Sequence, residues 1–256
     1  MNFVAVADTD IGIDKSTNQD SVLVKHASYD AGEVMMAVIC DGMGGLSKGE
    51  LASATVIRAF VKWFEEELPL ELMDVNMEVI AGKWELLIKE LNGKIMAYSE
   101  RIGESLGTTF TGMLLINDQY IIVHVGDTRV YHNGDYIQQL TTDHTFIARE
   151  LARGAITPEQ AKTDKRRNML LQCVGASPVV TPQVVQGEVQ EGVYLLCTDG
   201  FRHEISEQEI HEAFKPDVLF GKEVMQKNAR KLIELVKERQ EKDNISVIVV
   251  KVGRGD

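Results

Sequence analysis

The sequence VMMAVICDGMGG occupies residues 34–45 and decides the fold prediction. Its first seven residues are apolar, which is typical of a buried β-strand. That strand ends at Asp41, and three of the next four residues are glycines. A carboxylate in a turn with so little side-chain cover suits the close approach of a cation or a phosphate. Taken alone, however, the stretch is explained better by an ordinary turn with a surface aspartate.

The same pattern, an acid at the end of an apolar strand, recurs along the chain. The other acids at predicted strand boundaries are Asp20, Asp127, Asp199 and Asp243. Acids at strand ends can converge at one edge of a sheet assembly, where oxygen-only ligands suit hard divalent cations such as Mg²⁺ or Mn²⁺. The recurrence therefore favours a metal site over a set of unrelated turns.

Composition limits the class of protein. The 256 residues are 44% hydrophobic and 26% charged, as expected of a globular protein with a sizeable core. The net charge of −12 argues against binding to nucleic acid or to an anionic membrane, both of which require clustered Lys and Arg. The sequence contains no run of 18 apolar residues, no signal peptide and no CxxC spacing among its three cysteines. We therefore expect a cytoplasmic protein with reduced thiols that binds neither nucleic acid nor membrane, and we also expect a monomer.

Secondary-structure patterns predict an α+β fold. Nearly all the predicted strands are joined by hairpin-length turns, whereas the predicted helices come in pairs, so we expect antiparallel sheets flanked by helices. The flanking helices are predicted at residues 49–67, 76–101, 206–214 and 223–241, and Pro69 is expected to end the first. No GxGxxG or GxxxxGK[ST] motif is present, so a nucleotide-binding α/β fold is not indicated.

A charged helical segment interrupts the strand-rich part of the chain. It is predicted to contain short helices at residues 143–153 and 157–165 and a strand at residues 169–174. Thr157 is the expected N-cap of the second helix, and Gln160 can complete a capping box with it. We interpret the segment as a flap insert at about residues 144–172, within a single domain that spans residues 1–256.

In order and context, the acids and their neighbours resemble those of the metal-dependent type 2C protein serine/threonine phosphatases, the PPM family. The resemblance covers nearly the whole chain, and its motifs lie at residues 12–20, 41–45, 107–109, 125–131, 140–144, 168–175, 198–200 and 243–244. Animal members have a histidine where Met43 stands here, whereas members of the bacterial type commonly have methionine. The resemblance is therefore to the bacterial type, and it leaves the general acid unassigned.

The resemblance implies a fold and a set of metal ligands. The fold would be a central β-sandwich of two antiparallel sheets, with helix pairs on both outer faces in α/β/β/α layers. Two Mn²⁺ or Mg²⁺ ions would lie at one end, both bound by Asp41. Asp199 and Asp243 would complete the first ion's ligands, and Asp20 and the carbonyl of Gly42 the second's. A third, weaker ion would be bound by Asp127 and Asp199.

The implied chemistry is hydrolysis of a phosphoric monoester. Two divalent cations about 3.5–4 Å apart can activate a water and clamp the oxygens of an in-line displacement. Asp41, Asp199 and Lys15 would be the catalytic residues. Lys15 stands where the family usually has an arginine that binds the substrate phosphate, so the charge is kept and the bidentate fork is lost. Arg166 in the flap is a candidate for substrate binding, although a solvated charge pair with Arg167 explains it at least as well.

Three functions remain open at this point. The first is a phosphatase that acts on phosphoserine and phosphothreonine proteins, the substrates of a serine/threonine kinase, in signalling. The second is a pseudophosphatase that binds or senses a partner, and the third is a phosphohydrolase of small metabolites. Pseudoenzymes usually lack one or more ligands, whereas Asp20, Asp41, Asp199 and Asp243 are all present. The complete set favours an enzyme over a binding module.

Other polar residues have simpler interpretations. We expect Asp143 and His144 to cap a helix and His124 to be a core histidine. Asp8, Asp10 and Asp14 are interpreted as surface charges near the predicted metal site.

Overall fold

The computed structural model describes residues 1–43, 48–167 and 169–253, except the side chain of Lys162. Three residues of the predicted motifs, Gly44, Gly45 and Asn168, lie outside the described residues. The strands are β1 (Asn2–Asp10), β2 (Ser21–Tyr29), β3 (Gly32–Cys40), β4 (Phe110–Ile116), β5 (Gln119–Val125), β6 (Arg129–Asn133), β7 (Ile137–Gln139), β8 (Gln183–Glu188), β9 (Gly192–Cys197) and β10 (Ile245–Gly253). The helices are α1 (Gly49–Lys62), α2 (Leu68–Glu71), α3 (Met77–Ile102), α4 (Phe146–Ala152), α5 (Pro158–Thr163), α6 (Asp199–Arg202), α7 (Glu207–Ala213) and α8 (Lys222–Glu238).

The strands form two five-stranded sheets. One sheet has the order β1-β10-β9-β6-β7 and the other the order β2-β3-β4-β5-β8, and all the pairings are antiparallel. The two sheets pack face to face through alternate side chains of their strands, including Met35, Ile39, Met113, Leu196 and Ile248. This arrangement confirms the predicted sandwich of two antiparallel sheets.

Helices cover both outer faces of the sandwich. Trp84 of α3 and Phe60 of α1 pack against the β2–β8 sheet, where Phe60 also stacks on Phe110 of β4. On the other face, Met225 and Ile233 of α8 are fully buried against the β1–β7 sheet. The predicted α/β/β/α layering is therefore confirmed. Within the described residues, no helix combines the length and apolarity needed to cross a membrane.

Two element predictions were wrong. The first helical region does not end at Pro69: after α1 the chain continues through a π-helical turn, Trp63–Glu67, into α2. Proline lacks an N–H donor and crowds the preceding turn, and a wider π turn just before it accommodates both. Residues 169–174 form only two isolated β-bridges, Thr145 with Leu170 and Thr108 with Val174, and no strand. That segment follows the edge of the sandwich, where no neighbouring strand offers a continuous ladder.

Candidate metal centre

The predicted acids all lie at one end of the sandwich. Asp41 follows β3 and Asp199 follows β9, whereas Asp20 precedes β2 and Asp243 lies two residues before β10. Because neighbouring strands run antiparallel, the end of one strand lies beside the start of the next, as the pairing of Ser21 with Cys40 demonstrates. Strand pairing therefore brings residues that are far apart in sequence to a common edge.

Asp20 joins the two sheets at this edge. Its carboxylate Oδ2 accepts a 2.6 Å hydrogen bond from Ser246 Oγ of β10 and a 3.2 Å bond from Thr198 Oγ1, at the end of β9. Asp20 itself precedes β2 of the other sheet, and it is only 9% exposed. The carboxylate is thus held by hydroxyl groups and has no paired cation among the described residues.

The backbone around Asp41 is fixed on both sides. Its N–H donates to Thr109 Oγ1 at 2.9 Å, and its carbonyl accepts from the Thr109 N–H at 2.8 Å. Gly42 then passes so close to the start of α1 that an added Cβ would lie 2.4 Å from the carbonyl oxygen of Gln19 and 2.6 Å from that of Gly49. Only glycine fits here, so the chain after Asp41 can pass directly against the backbone of Gln19, the neighbour of Asp20.

Asp127, Asp199 and Asp243 each have a basic side chain nearby. Lys15 Nζ lies 2.9 Å from Asp243 Oδ1. Arg202 Nη2 lies 3.9 Å from Asp127 Oδ2. His203 Nε2 lies 3.7 Å from Asp199 Oδ2. The other oxygen of Asp199, Oδ1, is buried and has no hydrogen-bond partner among the described residues.

Crowding of carboxylates shifts their ionisation. Burial raises the pKa of Asp20 to about 7, and the nearby Asp199 adds to the shift. Burial and the charges of Asp20 and Asp199 raise the pKa of Asp41 well above its usual range. Burial and Asp199 also raise the pKa of Asp127 to about 7, although Arg202 opposes the shift. Carboxyl groups that repel one another in this way are strong ligands for a cation that neutralises them.

The donor set fits divalent cations, although the side chains are not yet gathered around one point. In the described part of the chain, no three His, Cys, Asp or Glu side chains are arranged to hold one ion. Asp243 forms an ion pair with Lys15 instead. The buried, unpartnered oxygen of Asp199 and the oxygen-only donors are nevertheless what Mg²⁺ or Mn²⁺ requires.

A cavity of about 540 Å³ opens onto two of these acids, Asp199 and Asp243. It is lined by Asp14, Lys15, Arg167, Asp199, His203, Glu204, Gln240, Glu241, Lys242 and Asp243. A larger hollow of about 700 Å³ lies between the β6–β7 turn and the end of β10, and it contains none of the predicted site residues. The smaller cavity is therefore the one that could receive a phosphorylated side chain beside the acids.

The two arginines of the flap point in different directions. Arg166 binds Asp164 with two hydrogen bonds, of 3.0 Å and 2.7 Å, and its guanidinium carbon lies 4.1 Å from the centre of the Phe146 ring. Arg167, by contrast, lines the cavity beside Lys15 and forms no ion pair within the described residues. Sequence reasoning named Arg166 as the candidate, and the structure brings its neighbour to the acids instead.

The base of the flap is attached to the Asp127 turn by His144. Its backbone N–H donates to the carbonyl of Gly126 at 2.7 Å, and its ring Nδ1 accepts from the N–H of Gly126 at 3.2 Å and from Nε2 of Gln172 at 2.8 Å. The prediction that Asp143 and His144 cap a helix was wrong, because α4 begins later and Thr145 is its N-cap. Asp143 instead forms two 2.8 Å hydrogen bonds with Arg129.

Further expectations about polar residues had mixed outcomes. His124 is fully buried and bonds Thr111 through Nδ1, as expected of a core histidine, although its Nε2 has no partner. Asp8 is not a surface charge: it is 7% exposed and pairs with Arg230 of α8. Asp10 likewise binds Arg230, at 2.8 Å. Both acids thus anchor α8 on the sheet.

Sequence reasoning missed Arg202, Ser246 and Thr198. Ser246 lies three residues after Asp243, and Thr198 immediately precedes Asp199. This closeness to predicted ligands could have identified both residues. Arg202 follows Asp199 by one helical turn, a spacing that brings both side chains to one face of a helix. Because the short helix α6 was not predicted, Arg202 was not recognised as a neighbour of Asp199.

The fold and the site together define a class of protein, an α/β/β/α sandwich whose clustered carboxylates at one edge suit divalent cations. The model of the protein phosphatase 2C family matches this chain over residues 13–237, and the chain belongs to that family. It is 32% identical over 252 residues to serine/threonine protein phosphatase PstP of Mycobacterium tuberculosis, a match that covers 96% of this chain and 44% of PstP. The chain thus spans less than half the length of that relative.

Two further similarities cover nearly the whole of both chains. Protein phosphatase PhpP of Streptococcus pneumoniae is 28% identical over 253 residues, which are 97% of this chain and 97% of PhpP. The crystal structure of the catalytic domain of serine/threonine protein phosphatase PstP in complex with two manganese ions matches with a TM-score of 0.79 and 29% identity. That match covers 98% of this chain and 99% of the other.

Proposed function

We propose that this chain hydrolyses phosphoserine and phosphothreonine in proteins, with the help of divalent cations bound at the acid-lined edge. The carrying observation is the convergence of five aspartates from both sheets, one of which has a buried oxygen without a partner. Membership of the protein phosphatase 2C family and similarity to a phosphatase domain crystallised with manganese support the assignment. Phosphoproteins made by a serine/threonine kinase would be the substrates, and the role would be in signalling.

We assign the metal ligands as follows. Asp41 would bind both of two Mn²⁺ or Mg²⁺ ions, Asp199 and Asp243 would hold the first, and Asp20 and the carbonyl of Gly42 would hold the second. Asp127, with Asp199, would hold a third and weaker ion. When bound, the ions would supply an activated water and would neutralise charge on the phosphoryl group. In Asp243, Lys15 and the backbone N–H of Asn244 both contact Oδ1, so Oδ2 is the oxygen that we assign to the ion.

The chain's own cations orient the substrate. Lys15, whose Nζ lies 2.9 Å from Asp243 Oδ1, lines the cavity that would receive the phosphate. Arg167 lines the same cavity from the flap side and has no other ion pair in the described chain. We therefore assign Lys15 to the phosphoryl oxygens and prefer Arg167 to Arg166 as the flap residue that contacts substrate.

We further propose that residues 1–256 form one catalytic domain and that residues of about 144–172 act as a flap. His144 ties the start of this segment to the Asp127 turn, whereas Gln172 ties its end to His144. A cytoplasmic location is consistent with three buried, unpaired cysteines. We expect the domain to be monomeric.

The test is release of phosphate from a phosphothreonine peptide, first with Mn²⁺ and then with excess chelator. We expect turnover with Mn²⁺ and none with chelator. A pseudophosphatase would bind the peptide without turnover. An enzyme for small metabolites would hydrolyse sugar phosphates faster than the peptide. Either result, obtained with well-folded protein, would contradict the proposed function.

Replacing Lys15 by alanine should raise KM about tenfold or more for a phosphothreonine peptide and change kcat less. The ammonium contacts the phosphate in both the bound substrate and the transition state, and loss of such uniform binding appears in KM. A charge-assisted contact of roughly 1.5–3 kcal/mol corresponds to about one to two powers of ten in affinity. Steady-state kinetics at saturating Mn²⁺ measure both constants.

The conservative variant supplies the control for Lys15. Lys15→Arg keeps the charge and adds the fork that suits phosphate, so its KM should equal or improve on that of the parent. If Lys15→Ala leaves both constants unchanged at saturating Mn²⁺, the lysine has no part in binding phosphate.

Arg167 and Arg166 form a matched pair for testing the flap. Arg167→Ala should change the ranking among phosphopeptides, because Arg167 faces the cavity, and it should affect a small aryl phosphate much less. Arg166→Ala should have a smaller effect, since Arg166 is engaged with Asp164 and Phe146. Equal effects of both variants on every substrate would contradict the assignment.

A further inference from the structure

Arg202 lies beside Asp127, the acid that we assign above to the weakest cation site. Its Nη2 donates a 3.1 Å hydrogen bond to the carbonyl of Asp127 and lies 3.9 Å from the carboxylate oxygen Oδ2 of the same residue. Both side chains are largely buried, with exposed fractions of 12% and 10%. Arg202 also ends the short helix α6 that Asp199 begins. A guanidinium therefore occupies the immediate surroundings of Asp127 and Asp199.

The guanidinium is poorly satisfied by hydrogen bonds. Its Nε is buried and has no partner among the described residues. Its second carboxylate neighbour, Asp143, lies 3.7 Å away, and both oxygens of that carboxylate are already bonded to Arg129 at 2.8 Å. Arg129 therefore neutralises Asp143 and not Asp127, whose carboxylate charge is left to Arg202. Arg202 is thus held by its hydrogen bond to the Asp127 carbonyl together with charge attraction to the Asp127 carboxylate.

We propose that Arg202 is a built-in counter-ion of Asp127 that weakens the binding of a divalent cation there. The inference rests on the proposed function, since it concerns the cation site assigned to Asp127 and Asp199. A dication between these two acids would meet a guanidinium that is already in ion-pair range of Asp127, and the two positive charges repel. Cation binding must then either displace the guanidinium or proceed against its charge.

The structure provides room for the guanidinium to withdraw. A cavity of about 430 Å³ lies beside Arg202 and Asp127, and its far wall is formed by the flap residues Ile147, Ala148 and Leu151. Entry of a cation at Asp127 would therefore drive the Arg202 side chain toward the space beneath the flap. Removing the charge at residue 202 should remove both the repulsion and the competition for Asp127.

Calorimetric titration with Mn²⁺ alone tests the proposal on the full chain. The weak site is identified as the one that Asp127→Asn abolishes. Arg202→Met should tighten that site roughly tenfold, the order expected from removing a unit charge near a dication at the protein surface. Arg202→Lys keeps the charge and should bind the ion about as weakly as the parent. Arg58→Met, at an exposed position of α1, changes the net charge equally and should have no such effect.

Thermal melts in chelator supply a second readout that does not depend on bound metal. Arg202→Met should lower the metal-free melting temperature more than Arg58→Met does, because Asp127 loses its counter-ion, and Mn²⁺ should recover the difference. If Arg202→Met does not fold, Arg202→Gln gives a polar, neutral alternative for both measurements.

The outcomes separate this inference from the proposed function. If the parent binds no Mn²⁺ at all, the proposed function fails and the inference fails with it. If the parent binds two ions tightly, but the Asp127-dependent site is unchanged or weaker in Arg202→Met and Arg202→Gln, only the inference is overturned. The same applies if Arg202→Lys tightens the site as much as Arg202→Met does.

Discussion

Replacing Asp41 by asparagine will nearly abolish phosphatase turnover and will also make the metal-free protein more stable. Loss of turnover follows from the proposed role of Asp41 as the ligand common to both ions. Residues one step removed from a metal already cost about ten- to hundredfold in activity or affinity when mutated. A shared ligand should therefore cost more than roughly a hundredfold. Phosphate release at saturating Mn²⁺ measures the effect.

The gain in stability follows from the electrostatics of the metal-free edge. Burial and the nearby charges of Asp20 and Asp199 raise the pKa of Asp41 well above its usual range. A carboxyl whose pKa is higher in the folded than in the unfolded protein makes folding less favourable as pH rises from the unfolded value toward the folded one. Asparagine has a similar shape and does not ionise, so it avoids this loss.

The sign of the pH dependence can be checked directly. The difference in melting temperature between Asp41→Asn and the parent, both in chelator, should be small near pH 5 and should grow toward pH 8. For a protein of this size, each kcal/mol corresponds to about 2–4 °C. Asp30→Asn is the matched control, because Asp30 lies in the exposed turn at the opposite end of the β2–β3 hairpin. A well-folded Asp41→Asn that keeps parental turnover, or that melts below the parent in chelator at pH 8, would refute the assignment.

The sequence predicted those features that local physics determines. The capping box at Thr157 could be predicted because it depends on two residues that are three positions apart. The clustering of the acids at one edge could be predicted because antiparallel pairing places the end of one strand beside the start of the next. Asp20, Asp41, Asp199 and Asp243 could thus be selected before any contact was known.

Contacts between distant segments were not predictable in the same way. The sequence pattern around Asp8 predicts a surface charge. Its burial depends on an ion pair with Arg230 of α8, which is far from it in sequence. His144 reads as a helix cap, and its real partners lie in the turn at Gly126 and in the far end of the flap at Gln172. No local pattern encodes such partners, because either side chain would be equally acceptable in solvent.

The sequence also could not predict which of the adjacent residues Arg166 and Arg167 lines the cavity. The residues are adjacent, and sequence gives both the same charge and the same neighbours. The turn that Asp164 makes with the backbone N–H of Arg166, at 2.8 Å, also places the Arg166 guanidinium on the Asp164 carboxylate. Once Arg166 is held in this way, Arg167 is directed to the cavity. A single Asx-type turn therefore decides which arginine faces the acids.

Addition of Mn²⁺ should raise the melting temperature of the parent by about 10–20 °C. A ligand at a hundred times its dissociation constant stabilises the folded state by about 2.7 kcal/mol per site, so two sites together give about 5 kcal/mol. At about 2–4 °C per kcal/mol, the shift is of this order. The physical source is relief of repulsion among buried carboxylates, whose basic neighbours in the described part of the chain are Lys15, Arg202 and His203.

The shift should be larger at pH 8 than at pH 6. The pKa of Asp20 and that of Asp127 are both raised to about 7, with burial as the main cause. Below pH 7 these groups are largely protonated in the metal-free folded protein, so a cation must displace protons in order to bind, whereas at pH 8 the carboxylates are already ionised. Differential scanning fluorimetry of the same protein with Mn²⁺ and with chelator at each pH isolates the metal-dependent part. Asp41→Asn should lose most of the shift, and Asp30→Asn should keep it. A shift that is equal in Asp41→Asn and the parent, or greater at pH 6 than at pH 8, would show that Mn²⁺ stabilises the protein elsewhere than at these acids.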